Sequence, residues 1–539
     1  MPSGARGIEK LCCSLAACAL GLGLTTGLFL LLHWPVQAAP PPTYRYVATT
    51  GNDYSNNCTS SALPCRTVQH AVDVAGSTNI ILVAGGIYTD LRTRPIPGGY
   101  MAPPAGGVIT QVLYVGKTVT IRGGYTTDFA EPPDPSANGT MLQVPAGQRG
   151  RVLVIVGDVQ PALQGLRFVD GDATGLGGGW GSHDAGGGVY IFTATATLDT
   201  NAIHSSVAYD GGGLYLVRSA ATLVDNLITE NSAFGGSGGG LYLYASDAIL
   251  RRNTLYTNFA DLHGGGAFLD YSKAELTDNT LFSNRATGSG GGLFLKWYSA
   301  ATLTGNTIES NNAGSQGGGI YLNYSNAVLD ANSIEFNTAG MNGGGLVLEN
   351  DSRASLTANV IVSNEAGSCG GGVYIRYSHP NLDRNIVKSN LARWGGGVYL
   401  ENSKAVLTST VVIKNQAPSN GGGSGLHLVG SAPRLLHTTI ARNTGGDGSA
   451  VYVTNEPVSG SAGNVSLTNT ILAHQQVGIT VTVGNTATLE GVLLYANSTH
   501  MGGEGSISYT HDVWGDPHFS ADGYHLSSGS VAIDAGVST

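Results

Sequence analysis

Between residues 186 and 445 the apolar positions fall two apart, in short bursts, and the set of bursts repeats. The stretch 237–260 reads SGGGLYLYASDAILRRNTLYTNFA, and HGGGAFLDYSKAELTDNTLFSNRA follows it one repeat later. Alternation at period two is strand periodicity, not helical periodicity. It puts Leu241 and Leu243, Leu293 and Leu295, and Ile320 and Leu322 on one face of a strand, with Tyr242, Phe294 and Tyr321 on the other. Ala248 with Leu250, and then Leu255, make a second and a third inward cluster in the same unit. Three short strands with one apolar face each bury nothing alone. Stacked as coils along an axis they bury all three faces.

Glycine triplets set the period. They begin at 186, 211, 238, 264, 290, 317, 343, 370, 395 and 421, with spacings of 25 to 27 residues. Two asparagine series keep the same beat. One runs Asn226, Asn253, Asn279, Asn306, Asn332, Asn359, Asn385, and the other, five residues on, runs from Asn231 to Asn390. Asparagine tolerates the left-handed backbone of a sharp bend, and its amide can bond to its counterpart one coil away. Most lack Ser or Thr two positions later, so they are turn ladders rather than glycosylation sites. The expected fold is all-β: a right-handed parallel β-helix of about 26 residues and three short strands per coil.

At this point the chain resembles a known group, the bacterial right-handed parallel β-helix proteins of the pectin-lyase-like superfamily. YVATTGNDYSNNCTSSALPCRTVQHAVDVA (46–75) is similar to their N-terminal strand, loop and capping helix. NIILVAGGIYTDL and KTVTIRGGYTTDF look like first coils, and DPHFSADGYHLSSGSVAIDAG (516–536) like a closing motif. The repeat is also similar to that of polymorphic outer-membrane adhesins. The resemblance implies a fold, and a superfamily that holds lyases, hydrolases, adhesins and inert scaffolds.

The organisation expected from these signals is a leader over 1–38, a cap and irregular coils over 39–185, regular repeats over 186–445, last coils over 446–515 and the closing motif over 516–539. Arg6 and Lys10 precede an apolar run from Leu11 to Leu32, with Val36 and Ala38 placed for cleavage. Left uncleaved, that run is a membrane anchor. Val68, Ala71, Val72 and Ala75 share one helical face, which predicts a helix from Thr67 to Ala75 lying over the first coil.

Composition narrows the function. Glycine supplies 81 of 539 residues, charged residues are 12%, and the formal net charge is −10, which argues against a nucleic-acid partner. In an oxidising compartment Cys58 and Cys65 are expected to pair. Histidines show no metal-ligand spacing, and neither a metal nor a cofactor is expected.

The outward row at the strand ends reads Phe192, Val217, Tyr244, Asp270, Lys296, Asn323, Glu349, Arg376, Glu401. Glu349 and Glu401, two coils apart, approach the carboxylate separation of an inverting glycosidase. Arg376 between them lowers both pKa values, whereas catalysis needs one raised. The alternating signs therefore read as a charge ladder. His183, Asp184 and Asp210, just before the first two triplets, are turn residues that could also form a small acidic cluster.

A second outward row is aromatic at every position but Val347: Tyr190, Tyr215, Tyr242, Phe268, Phe294, Tyr321, Val347, Tyr374, Tyr399, with Tyr271, Trp297, Tyr324 and Tyr377 on the same edge. Stacked rings staple coils together, and exposed rings offer faces to sugars. The carbohydrate candidates are Tyr215, Tyr242, Phe268, Phe294, Trp297, Tyr321, Tyr374 and Tyr399. The sequence thus points to a secreted or surface β-helix with a structural or adhesive role, its partner a polysaccharide or cell-surface glycan. The alternative is a polysaccharide lyase or glycoside hydrolase.

Overall fold

The computed structural model describes residues 43–104 and 106–539, so the leader and its cleavage site lie outside the described residues. The first-sheet strand of one coil, Leu241–Tyr244, is followed by Ile249–Arg251 in a second sheet and Thr254–Tyr256 in a third. Each strand pairs in parallel with its counterpart one coil on: Leu243 faces Leu269, Leu250 faces Leu276, and Leu255 faces Leu281. A two-residue strand, Phe259–Ala260, adds a fourth, narrower ladder where three strands were expected. Its alanine column, Ala233, Ala260, Ala286 and Ala313, lets the chain turn tightly beside the core.

The core follows the period. Leu241, Leu243, Leu295, Ile320 and Leu322 are fully buried, as are Leu303, Ile308 and Leu329 in the other sheets. Each glycine of a triplet has its own reason. Gly238 sits at φ 70, in the left-handed region. A Cβ on Gly239 would lie 2.3 Å from the Phe259 carbonyl oxygen, so only glycine lets the coils close there. In the last repeat the register slips: Val398 pairs with Leu426, so Gly423-Ser424-Gly425 occupies the triplet's place and the run beginning at 421 is offset by two.

Of the two reasons expected for the asparagines, the structure keeps the coil-to-coil bonding and moves the left-handed bend by one residue. The residue before each takes the left-handed conformation, as at Arg252 (φ 53), Asp278 (φ 55) and Thr257 (φ 53). The asparagine itself binds. Asn306 Nδ2 donates to Leu276 O at 2.8 Å and to Asn332 Oδ1 at 2.9 Å, while its own Oδ1 accepts from Asn279 N and Nδ2. Every polar group of the side chain has a partner inside the coil. A third ladder, unread in the sequence, runs through Ser219, Ser246, Ser272 and Ser299, where each backbone N–H donates to the next serine hydroxyl.

The N-terminal end is capped and the C-terminal segment folds back along the stack. Helix α1 spans Val68–Val74, capped by the Thr67 hydroxyl, and buries Val68, Ala71 and Val72. Cys58 and Cys65 form a disulfide in the preceding loop. Near the C-terminus, Val513, Phe519, Tyr524 and Ala532 pack on an outward apolar stripe of the third sheet made by Ile413, Ala441, Ile471, Ala473 and Leu493. Arg442 donates to Gly523 O at 2.7 Å and Asn469 to Val537 O at 2.9 Å, which straps this segment across several coils.

Candidate glycan-binding groove

The aromatic row lies outside the coil, as its alternation requires, but it is not exposed. Tyr215, Tyr242, Phe268, Phe294, Tyr321 and Tyr374 are buried in a second apolar cluster. From Tyr190 to Tyr321 successive ring centroids are 4.6 to 6.0 Å apart, so each ring covers its neighbour's face. Tyr399 is half-buried between Tyr374 and His427. Among the carbohydrate candidates Trp297 is the one with substantial exposure, and Tyr242 and Phe268 reach the groove below only at the edges of buried rings. The buried rings are staples between coils.

The open aromatic faces belong to the next position, the turn that ends each first-sheet strand. Tyr271, Tyr298, Tyr324 and Tyr377 are exposed there, and Trp297 is half-exposed. All five hold left-handed backbone, with φ of 51, 60, 50, 47 and 46 respectively. An L-residue other than Gly or Asn gives up about 1 kcal/mol in that conformation. The same turn in other coils holds Thr193, Arg218, Ala245, Asn350, Asn402 and Gly430, all left-handed as well, so the conformation belongs to the turn rather than to its aromatic residues.

Beside these turns, on the outer face of the first sheet, lies a groove of about 560 Å³. Its floor is built by the ends of three adjacent strands and carries Tyr244, Asp270 and Lys296. Tyr271 and Trp297 form one rim, and Trp180, His183, Tyr209, Asp210 and His263 form the other wall. Trp180, 64% exposed, stacks on Tyr244 at 5.7 Å. The loop bearing it is held by Arg151, which is fully buried and donates to Gly177 O and Ala185 O at 2.7 and 2.8 Å.

Two buried carboxyls face this groove. Asp210 accepts from Ser237 N at 2.9 Å, and its other oxygen lies 3.2 Å from His183 Nδ1. Burial pushes its pKa above the ordinary carboxyl value, against the pull of the Ser237 N–H and His183, and Asp270 pushes the same way as burial. Asp270 accepts from the Tyr242 hydroxyl at 3.3 Å through Oδ2, while Oδ1 is buried without a partner. Burial raises its pKa too, opposed by Lys296. His263 packs against Phe294 and accepts from Ser289 N, and burial followed by the Lys296 charge lowers its pKa to about 4. It is a neutral imidazole at pH 7, with Nδ1 occupied as acceptor and the proton on Nε2.

The remaining candidates separate. Arg376 pairs with Glu401 at 3.0 Å, and Glu401 also accepts from the Tyr374 hydroxyl at 3.1 Å. Glu349 is bound by the Tyr321 hydroxyl instead, and no ion pair joins it to Arg376 or Asp270 to Lys296 among the described residues. The expected continuous charge ladder is thus reduced to one pair, with tyrosine hydroxyls binding the other acids. Asp184 turns into its own loop, accepting from Gly175 N and Gly177 N at 2.9 and 2.8 Å. His70 lies close to Cys58 and Cys65, but those sulfurs are bonded to each other, which leaves no thiolate pair for a metal. Trp180 and His263 went unread. The usable signal was the residue directly before each triplet (Asp210, Ser237, His263), which the coil stacks along one wall.

Residues 181–308 and 288–444 match the family model described as a right handed beta helix region. The chain carries a right-handed β-helix. No curated protein matches the sequence. Among solved structures, the β-helix is similar to a double mutant of the periplasmic alginate epimerase AlgG, at TM-score 0.38 and 10% identity over 84% of this chain and 97% of that one. It is also similar to the A-module of the Azotobacter vinelandii mannuronan C-5 epimerase AlgE6, at 0.25 and 13% over 84% and 94%. Pectate lyase Pel9A aligns at 0.24 and 14% over 67% and 75%. No helix among the described residues is long and apolar enough to cross a membrane.

Proposed function

We propose that this β-helix is a secreted or surface-displayed glycan-binding protein whose ligand lies along the groove. The observation that carries the reading is the row of exposed aromatic residues beside a buried, unpaired carboxyl oxygen. Tyr271 and Trp297 line the groove, and Tyr324 stands one coil on, stacked on Trp297 at 5.0 Å. Coils repeat about every 4.8 Å, close to the length of one pyranose unit, so successive rings can meet successive sugars. Tyrosine, histidine and carboxyl groups then bond the hydroxyls.

Calorimetry with neutral and acidic oligosaccharides of increasing length tests this. Affinity should rise with chain length and fall about tenfold or more in Tyr271→Ala/Trp297→Ala, a loss of about 1.4 kcal/mol, with the circular dichroism unchanged. Binding unaffected by the double substitution removes the groove from the account.

A second reading is favoured by one observation, the raised pKa of the groove-lining Asp210 and Asp270. A carboxyl kept protonated near neutrality can donate a proton to a glycosidic oxygen. On this reading the protein is a polysaccharide lyase or glycoside hydrolase. Release of reducing ends or unsaturated products, abolished in Asp270→Asn, supports it; glycan binding without turnover leaves the protein as a binder.

A further inference from the structure

We propose that the groove selects neutral, hydroxyl-rich glycans over uronate chains, an inference that rests on the glycan reading above. The argument is the balance and placement of the groups that face the bound chain. Asp210 and Asp270 reach the groove from two different coils, and each is nearly fully buried, at 6% and 9% exposure. The permanent cation on the groove is Lys296, next to Asp270 in the strand register and 5.7 Å from the Trp297 ring. His263 is neutral, and His183 leans on Asp210. A uronate carboxylate laid over this floor meets two buried carboxyls and a single lysine one coil beyond Asp270, where repulsion near buried groups is poorly screened.

Asp270 Oδ1 calls for a donor from the ligand. It is buried, accepts no hydrogen bond within the protein, and belongs to a residue lining the groove. A buried unpaired acceptor is costly, and a donor from a ligand recovers that cost. A pyranose hydroxyl is such a donor on either class of sugar, but a uronate also brings a carboxylate that carries acceptors only and one more negative charge. The Tyr242 hydroxyl on Oδ2 and the Ser237 amide on Asp210 leave hydroxyl-sized partners as the remaining complement. Trp180, Tyr271 and Trp297 stack on either class of sugar, so they set affinity without setting this preference.

The experiment compares cellohexaose and mannohexaose with galacturonate and mannuronate hexasaccharides on the full chain by calorimetry. The better neutral ligand should bind at least about tenfold tighter than either uronate, a gap of about 1.4 kcal/mol. Asp270→Asn and Asp210→Asn should each narrow that gap by improving uronate binding, and Trp180→Ala should weaken both classes together. Uronate binding equal to or tighter than neutral binding overturns the selectivity while leaving the glycan groove standing. A preference unchanged in both Asn variants overturns its assignment to the two acids. No binding by any of the four overturns the glycan reading, and this inference with it.

Discussion

At the scale of single residues, the repeat uses side chains to satisfy backbone rather than to decorate a turn. Asn306 gives and receives four hydrogen bonds within the coil stack. Removing its amide leaves the Leu276 carbonyl and a buried Asn332 oxygen short of donors, so Asn306→Ala should cost about 1–3 kcal/mol in denaturant unfolding. A change near zero would mean the position needs only a turn former. Asp270 makes the opposite case. Its folded pKa is raised above the ordinary 3.8 by burial. Its contribution to stability is therefore full below the unfolded value and is lost as pH rises through the folded one. Asp270→Asn should melt higher than the native protein at pH 7, with the difference closing in acid, while the glycan preference falls. The gain and the loss come from one group, and thermal melts at two pH values beside the binding assay read both.

Among elements, the first sheet divides its labour between its two faces. Inside, Leu243, Leu269, Leu295 and Leu322 form the core column; outside, Tyr242, Phe268, Phe294 and Tyr321 form a buried stack. Truncating a buried aromatic to alanine costs about 3–5 kcal/mol. The triple change Tyr242→Ala/Phe294→Ala/Tyr321→Ala should therefore lower the melting temperature sharply and loosen protection of the coils over 238–325. A fully stable triple mutant would return these rings to the ligand-facing role that the sequence alone allowed. The turn aromatics behave differently: Tyr271→Asn relieves a left-handed strain and should leave stability equal or higher. That contrast separates staple from platform.

On the scale of the whole molecule, the solenoid is stable coil by coil, each coil leaning on its neighbours. Deleting residues 511–539 uncovers the apolar stripe of Ile413, Ala441, Ile471 and Leu493. The last coils should become protease-sensitive while the coils over 186–400 stay protected, as limited proteolysis with mass analysis would show. Global collapse on that deletion would contradict a coil-by-coil stability. The architecture itself was legible in sequence because a coil imposes one register on every copy. Period, inward leucines, asparagine turns, capping helix and disulfide loop all follow from residues near each other in the chain. The groove was not legible. Trp180, Asp210, Asp270 and Lys296 span more than a hundred residues and meet only because coils stack in register and Arg151 pins the 176–185 loop against the first of them. Alternation told which rings point outward, but whether an outward ring is free or covered depends on what stands one coil above and below it. Local periodicity is a property of the chain; burial of an outward face is a property of the stack.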